Sequence, residues 1–230
     1  MKVLITQSNY IPWKGYFHNI ALSDVFIIYD DMQYTKRDWR NRNKVKTANG
    51  LQWLSIPVEV KGKYFQKINE TKVSDMQWNL KHWNALSNHY RKAPLFAEHK
   101  DWAESLYCDC TTPWLTEINR HFIEAVMKKL GIETQVRDSR EFLLEGDKTE
   151  KLVGLCEELQ ASTYITGPAA KNYMDEAPFN QKGIEIVYAD YGQYPIYEQI
   201  HPPFEHGVTI WDVMFHCALD ELNYLSNPLS

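Results

Sequence analysis

The chain has 230 residues, enough for one large domain whose core needs no covalent staples. Hydrophobic residues make up 44% and charged residues 24%, with ten Gly and ten Pro, which excludes a disordered, collagenous or low-complexity protein. A formal charge of -5 argues against a general nucleic-acid binder, which would spread basic charge over one face, so no extended nucleic-acid interface is expected.

Residues 2 to 6 (VLIT with its leading Lys) predict a short buried strand, and residues 24 to 31 (DVFIIYDD) a second. Between them, Asn9, Pro12 and Gly15 mark a loop, and YFHNIAL supplies a short helix, giving a β-loop-α-β unit. LQWLSIPVEV reads as an edge strand or hairpin because of Pro57 and the flanking Gly50 and Gly62. From Asp75, the residues Met76, Leu80, Trp83, Leu86 and Tyr90 recur at helical spacing as a core face, ended by Pro94. A second helix runs from about Trp114 to Leu130 and stops at Gly131. IETQVRD then reads as a strand, Asp147 and Glu150 as a capping box opening a helix, and STYIT as another strand. Gly167 and Pro168 open a further helix, IEIVYADY is a last strand, and Thr209 with Asp212 caps a terminal helix carrying Trp211, Phe215, Ala218, Leu222 and Leu225 inward. This alternation predicts one α/β domain over residues 1–230, a mostly parallel Rossmann-like sheet flanked by helices, with a helical insertion at about 70–130.

The N-terminal apolar run is too short for a signal-peptide core and no window approaches a membrane span, so a cytoplasmic protein with no membrane partner is expected. The four cysteines are too few for a disulfide scaffold, and the single C-x-C lacks the second pair of a zinc site, so no metal is expected.

Charge is strongly local. Lys36, Arg37, Arg40, Arg42, Lys44 and Lys46 face one acid, Asp38, a net +5 that leaves -10 for the rest of the chain. Such a cluster matches a diphosphate or similar small polyanion, gripped by Arg forks while Trp39 offers a stacking face and Asn41 and Asn43 add hydrogen bonds. The alternative is a solvated strand-loop paired with acids elsewhere. In open α/β sheets ligands sit at the carboxyl ends of strands, here Gln7 to Tyr10 and Asp30 to Tyr34, the latter including Gln33. Asp30 and Asp31 could hold an ion, orient a ribose or act as base, but neighbours on a strand point to opposite faces, so at most one reaches a given ligand. His18, about one turn into the first helix, could steady phosphate charge or merely pack. Gly167, Pro168 and Lys171 form a second candidate anion site at a helix start. His201 and His206 sit in a Pro-rich loop that could line a cleft, whereas His82 and His89 lie about 10 Å apart by helical rise, too far to share a metal.

Taken together, QSNYIPWKGYF, YDDMQYTKRDWRNRNKVKT, YITGPAAKNY and PPFEHGVTIWDVMF resemble the WbqC-like family, bacterial proteins encoded in O-antigen and related surface-polysaccharide clusters. The resemblance implies a cytoplasmic role in making or decorating a nucleotide-linked sugar, as a glycine (aminoacyl) transferase. The residues then read as a transferase that joins an aminoacyl or other acyl group to the amine of a nucleotide-linked amino sugar. The cluster from Lys36 to Lys44 would bind the diphosphate, and Asp30 or Asp31 would take the proton from the attacking amine. Asn9, Tyr10, Trp13 and Gln33 would hold sugar and donor. Aminoacyl-tRNA, a thioester and an ATP-activated amino acid all remain open as donor, and no cofactor is specified. The rival reading is a non-catalytic nucleotide-sugar-binding or scaffold protein, since no Ser or Cys stands in a recognisable nucleophile turn.

Overall fold

The computed structural model describes residues 1–192 and 194–225. Five short strands, β1 (Lys2–Thr6), β2 (Val25–Ile28), β5 (Gln135–Asp138), β6 (Thr163–Thr166) and β7 (Glu185–Tyr188), form one parallel sheet in the order β5-β2-β1-β6-β7. The chain builds outward from β1 on one side and then the other, so the order reverses between β1 and β6. An open parallel sheet takes its ligands at such a switch point, outside the carboxyl ends of the strands.

The central strands are apolar on both faces because both faces are covered. Leu4, Phe26, Ile28 and Ile165 face a large core with Phe17 and Ile20 of α1 (Lys14–Ala21) and Ile118 and Phe122 of α4 (Leu115–Lys129). Val3, Ile5, Val25, Ile27 and Tyr164 face a smaller core with Val153, Leu155 and Cys156 of α5 (Lys148–Glu158) and Phe179 of α6 (Ala177–Gln181). Asp147 caps α5 as its sequence predicts, accepting from the amides of Thr149 and Glu150 at 2.8 and 2.9 Å.

Between β2 and β5 the chain makes a long excursion. It contains the antiparallel hairpin β3 (Arg42–Thr47) and β4 (Gly50–Ser55), then α2 (Trp78–Tyr90), α3 (Phe96–Cys108) and the crossover helix α4. The hairpin is a separate two-stranded sheet, so the basic segment leaves the main sheet and returns over its rim.

Three local expectations are corrected. Met76 precedes α2, and both it (43% exposed) and Leu80 (50%) lie outside the core; the buried face is Trp78, His82, Trp83, Leu86 and Tyr90. A polar His82 can join that face because its ring nitrogens reach Tyr10 Oη at 2.8 Å and Ser55 O at 3.3 Å. Gly167 and Pro168 open only a short 3₁₀ segment, Pro168–Asn172, not an α-helix. Thr209 accepts from the Trp211 amide at the start of α7 (Ile210–His216), but Asp212 does not close a capping box. Its carboxylate turns inward to accept from Tyr90 Oη (2.9 Å), Tyr197 Oη (2.7 Å) and Gln199 Nε2 (2.7 Å).

Candidate functional site

The basic arm lies on the carboxyl rim of β1. Tyr10 N donates to Trp39 O at 3.0 Å, and Arg40 Nη1 reaches Gln7 O and Ser8 O, each at 3.3 Å, and also Asn9 Oδ1. Asn43, fully buried, donates from Nδ2 to Tyr10 O (3.1 Å) and Ile11 O (2.9 Å). Asn41 Nδ2 ties the far side of the arm to Ile56 O at 2.7 Å. These contacts weld the arm to the first loop.

The welding divides the cations instead of pooling them. Arg40 spends its guanidinium on the rim carbonyls and a 3.7 Å approach to Asp38. Arg42 stacks over Trp53 at 4.0 Å and donates to Arg37 O. Lys46 is 3% exposed and donates to Pro203 O. Lys44 hovers between two indoles, 5.7 Å from Trp39 and 5.3 Å from Trp53, while Lys36 and Arg37 stand in solvent.

Where arm meets loop there is a cleft of about 250 Å³ lined by Asn9, Pro12, Trp13, Trp39, Asn43 and Gly207. Its walls are two indoles. Trp13 is set by edge-to-face packing on Tyr191 (4.8 Å) and Tyr194 (5.6 Å), and Trp39 by its 5.2 Å contact with Trp53. Gly15 makes room for Trp13, since a β-carbon there would stand 2.3 Å from the indole. Arg40 fixes the Asn9 amide with its oxygen toward the guanidinium, so the Nδ2 donor is presented away from it. The cleft can hold one flat or apolar-faced ring, with Lys44 and Arg42 flanking the aromatic wall for an anionic substituent.

The acidic couple is fully engaged. Asp30 is 2% exposed and accepts from Ser8 N (2.8 Å), Ser8 Oγ (2.6 Å) and Thr116 Oγ1 (2.5 Å). Burial raises its pKa, while those hydrogen bonds and nearby Arg40 pull the other way. Asp31 accepts from Ser139 Oγ (2.7 Å), Lys67 Nζ (3.2 Å) and Asn69 Nδ2 (3.3 Å). Partial burial works to raise its pKa, but the Ser139, Lys67 and Asn69 hydrogen bonds outweigh it and hold the carboxyl below its ordinary value. The two carboxylates thus face different surroundings, as neighbours at a strand end should.

The other candidate residues are dispersed. Tyr10 is completely buried, its hydroxyl 2.8 Å from His82 Nδ1 and 3.3 Å from Tyr107 Oη. His18, 4% exposed, meets Tyr194 Oη at 2.9 Å. Gln33, Tyr34 and Lys36 line a separate hollow of about 610 Å³ with Lys63, Tyr64 and Gln66. Gly167 approaches Tyr191, and Lys171 lies 5.1 Å over Tyr188, near the other half of the sheet. His201 lines a third hollow with His89 and Arg91, and His206 packs on Phe204 at 4.5 Å. Among the described residues no group of three or more His, Cys, Asp or Glu is placed to hold a metal, and no helix is long and apolar enough to cross a membrane.

Several residues that organise this region carry no sequence signal. Ser8 and Asn119 complete the Asp30 network, Asn119 Nδ2 donating to Ser8 Oγ (2.8 Å) and Arg40 O (2.9 Å), so α4 fixes the rim from below. Lys14 is 2% exposed beneath the rings of Tyr194, Tyr197 and Phe204, at 5.4, 5.0 and 5.6 Å, with Nζ donating to Pro195 O at 3.4 Å. Burial lowers its pKa to about 8, against the opposing pull of Cys217 and Asp212. A lysine in a PWKG loop signals exposure; only the later folding of residues 194–206 over it buries the amine.

The fold and the cleft define an α/β protein with a Rossmann-like parallel sheet and an aromatic, cation-flanked site at the carboxyl edge of its first strand. The chain belongs to the WbqC-like protein family, whose profile matches residues 7–224. It is similar to a protein of Mycobacterium tuberculosis (strain ATCC 25618 / H37Rv) known as uncharacterized protein Rv1507c, 46% identical over 224 residues, covering 97% of each chain. No solved structure matches it.

Proposed function

We propose that this protein binds a nucleotide-linked amino sugar at the Trp13–Trp39 cleft and takes part in joining an aminoacyl or other acyl group to the sugar's amine. The observation that carries the reading is the cleft itself: two indole walls at the carboxyl end of β1, with Lys44 and Arg42 held against the aromatic surface by Trp39 and Trp53. Sugar and base rings both stack on indole, and a diphosphate linking them wants nearby fixed cations. At about 250 Å³ the cleft seats one ring; the rest of a sugar nucleotide would lie across the open rim toward Lys44. The family's place in surface-polysaccharide clusters, which the resemblance implies, supports a sugar-nucleotide ligand.

Within this reading Asp30 positions the loop through Ser8, and Asp31, the more open of the two carboxylates, is the acid that a substrate amine could approach. One observation favours the non-catalytic alternative: Asp31 already accepts from three side chains, and its lowered pKa makes it a weak proton acceptor. Incubation with UDP-, dTDP- or GDP-linked amino sugars and candidate donors, read by mass spectrometry for the new amide, separates the two. Amide formation lost in Asp31→Asn with ligand binding intact supports the transferase; binding without any product from any donor supports the carrier.

A further inference from the structure

The turn between the hairpin and α2 carries the two most exposed large apolar side chains among the described residues, Tyr64 at 77% and Phe65 at 83%. They pack edge to face, ring centroids 5.0 Å apart and planes at 88°. The turn is well tied down. Gly62 supplies the left-handed conformation at φ 73°, and Lys63 N and Gln66 N donate to Val60 O and Lys63 O, each at 3.3 Å. Gln66 Nε2 donates to Glu59 O and Gln33 Nε2 to Tyr64 O, both at 2.8 Å, and Tyr34 N to Gln66 O at 2.9 Å. Directly after the tip, Gln66 and Ile68 are buried. The fold therefore spends an anchored turn on holding two aromatic rings out in water.

Lysines surround the rings. Lys36, Lys61, Lys63 and Lys67 are all exposed, against three nearby acids: Glu59, paired with Lys63, Asp31, 3.2 Å from Lys67 Nζ, and Glu70, which accepts from Lys67 N at 2.9 Å. Between tip and arm lies the hollow of about 610 Å³, whose lining includes Lys36, Lys63, Tyr34 and Tyr64. The basic character is confined to this region, since residues 31–70 hold nine cations against four acids in a chain of net charge -5.

We propose that the Tyr64–Phe65 tip docks this protein on an anionic lipid bilayer, the two rings entering the headgroup zone while Lys36, Lys61, Lys63 and Lys67 lie against the phosphates. Amphipathic rings with cations on long stems suit that zone, where apolar area and surface potential act together. A projecting tip ringed by lysine is a poor match to a protein partner, because the cores of protein interfaces are depleted in Lys. With no crossing helix among the described residues, the contact is peripheral and reversible.

Flotation of the full chain with vesicles of phosphatidylglycerol and phosphatidylethanolamine, beside vesicles of phosphatidylcholine alone, tests this at physiological salt. The wild type should float with the anionic vesicles only. Tyr64→Ser with Phe65→Ser should lower partitioning about tenfold, Phe65→Trp should retain it, and Lys61→Gln and Lys63→Gln should each cost about fivefold. All these side chains are exposed, so an unchanged circular dichroism spectrum and melting temperature accompany each loss. Failure of the wild type to float, equal flotation with neutral vesicles, or undiminished flotation of the double serine variant would overturn the proposal.

Discussion

Asn43 holds Ile11 in a left-handed backbone conformation. Ile11 sits at φ 37°, an unusual place for a β-branched residue, and its carbonyl accepts from Asn43 Nδ2 at 2.9 Å, alongside the Tyr10 carbonyl at 3.1 Å. One amide from the hairpin thereby fixes the loop that places Trp13. Asn43→Ala should leave both buried carbonyls without that donor and destabilise the fold by about 2 kcal/mol. Urea unfolding reads this directly, and a variant as stable as the wild type would remove the clamp from the account.

Gly15 should be intolerant of any side chain. Its β-carbon would lie 2.3 and 2.6 Å from two ring carbons of Trp13, whose indole is wedged against Tyr191 and Tyr194 and has little room to give. Gly15→Ala should shift that ring, cost about 1 to 3 kcal/mol, and change tryptophan emission on ligand addition. An alanine variant with wild-type stability and emission would place Trp13 elsewhere.

His82 gives the protein an acid-sensitive stability. Burial lowers its pKa from 6.5 to about 4, opposed by the Ser55 carbonyl, so the folded ring stays neutral while the unfolded ring takes a proton below pH 6.5. The unfolded state then binds the extra proton, and stability must fall as pH drops from about 6.5 toward about 4, by at most roughly 1.4 kcal/mol per pH unit. Guanidinium midpoints followed over that range should show this slope, and His82→Gln should flatten it. Equal slopes in both proteins would assign the acid sensitivity to other groups.

The two acids of the couple should titrate on opposite sides of an ordinary aspartate. Asp30, raised by burial, favours folding most below its unfolded pKa, and its contribution falls as pH rises through the folded value. Asp31, held down by its three hydrogen-bond donors, contributes above its unfolded pKa and loses that contribution as pH falls through the folded value. Carboxyl carbon shifts followed by NMR would order the two. Asp30→Ala, which strands Ser8 and Thr116 donors in the core, should destabilise by about 3 kcal/mol or more. A mild effect would mean that the rim does not rest on Asp30.

The parallel sheet was legible because its strands are short apolar runs bounded by turn residues and separated by helices of ordinary period. The Asp147 cap was legible for the same reason, being a local signal with a local cause. What escaped detection depends on distant partners. Helix α3 has weak amphipathicity in FAEHKDWAESLYC, and its inward His99 reads as polar surface until packing hides it. His82 and Asp212 look like surface or cap residues in sequence but enter the core because Tyr10, Ser55, Tyr90 and Tyr197 supply partners from elsewhere. The basic block stood out as a single feature, yet its members separate: Arg42, Lys44 and Lys46 share one face of β3, but the first two lie against indoles while Lys46 is buried, its Nζ donating to Pro203 O. Composition could locate the charge, but only the folding of a distant segment over Lys46 decides which cations remain available.

Calorimetric titration of the wild type and of Trp39→Ala with Lys44→Ala, against UDP-, dTDP- and GDP-linked amino sugars, addresses the aromatic cleft most directly. At least one sugar nucleotide should bind, and the double variant, still folded, should lose about 1 to 3 kcal/mol of affinity. Saturable binding that is unchanged in the double variant, or no binding of any of the three classes, would contradict this reading of the cleft.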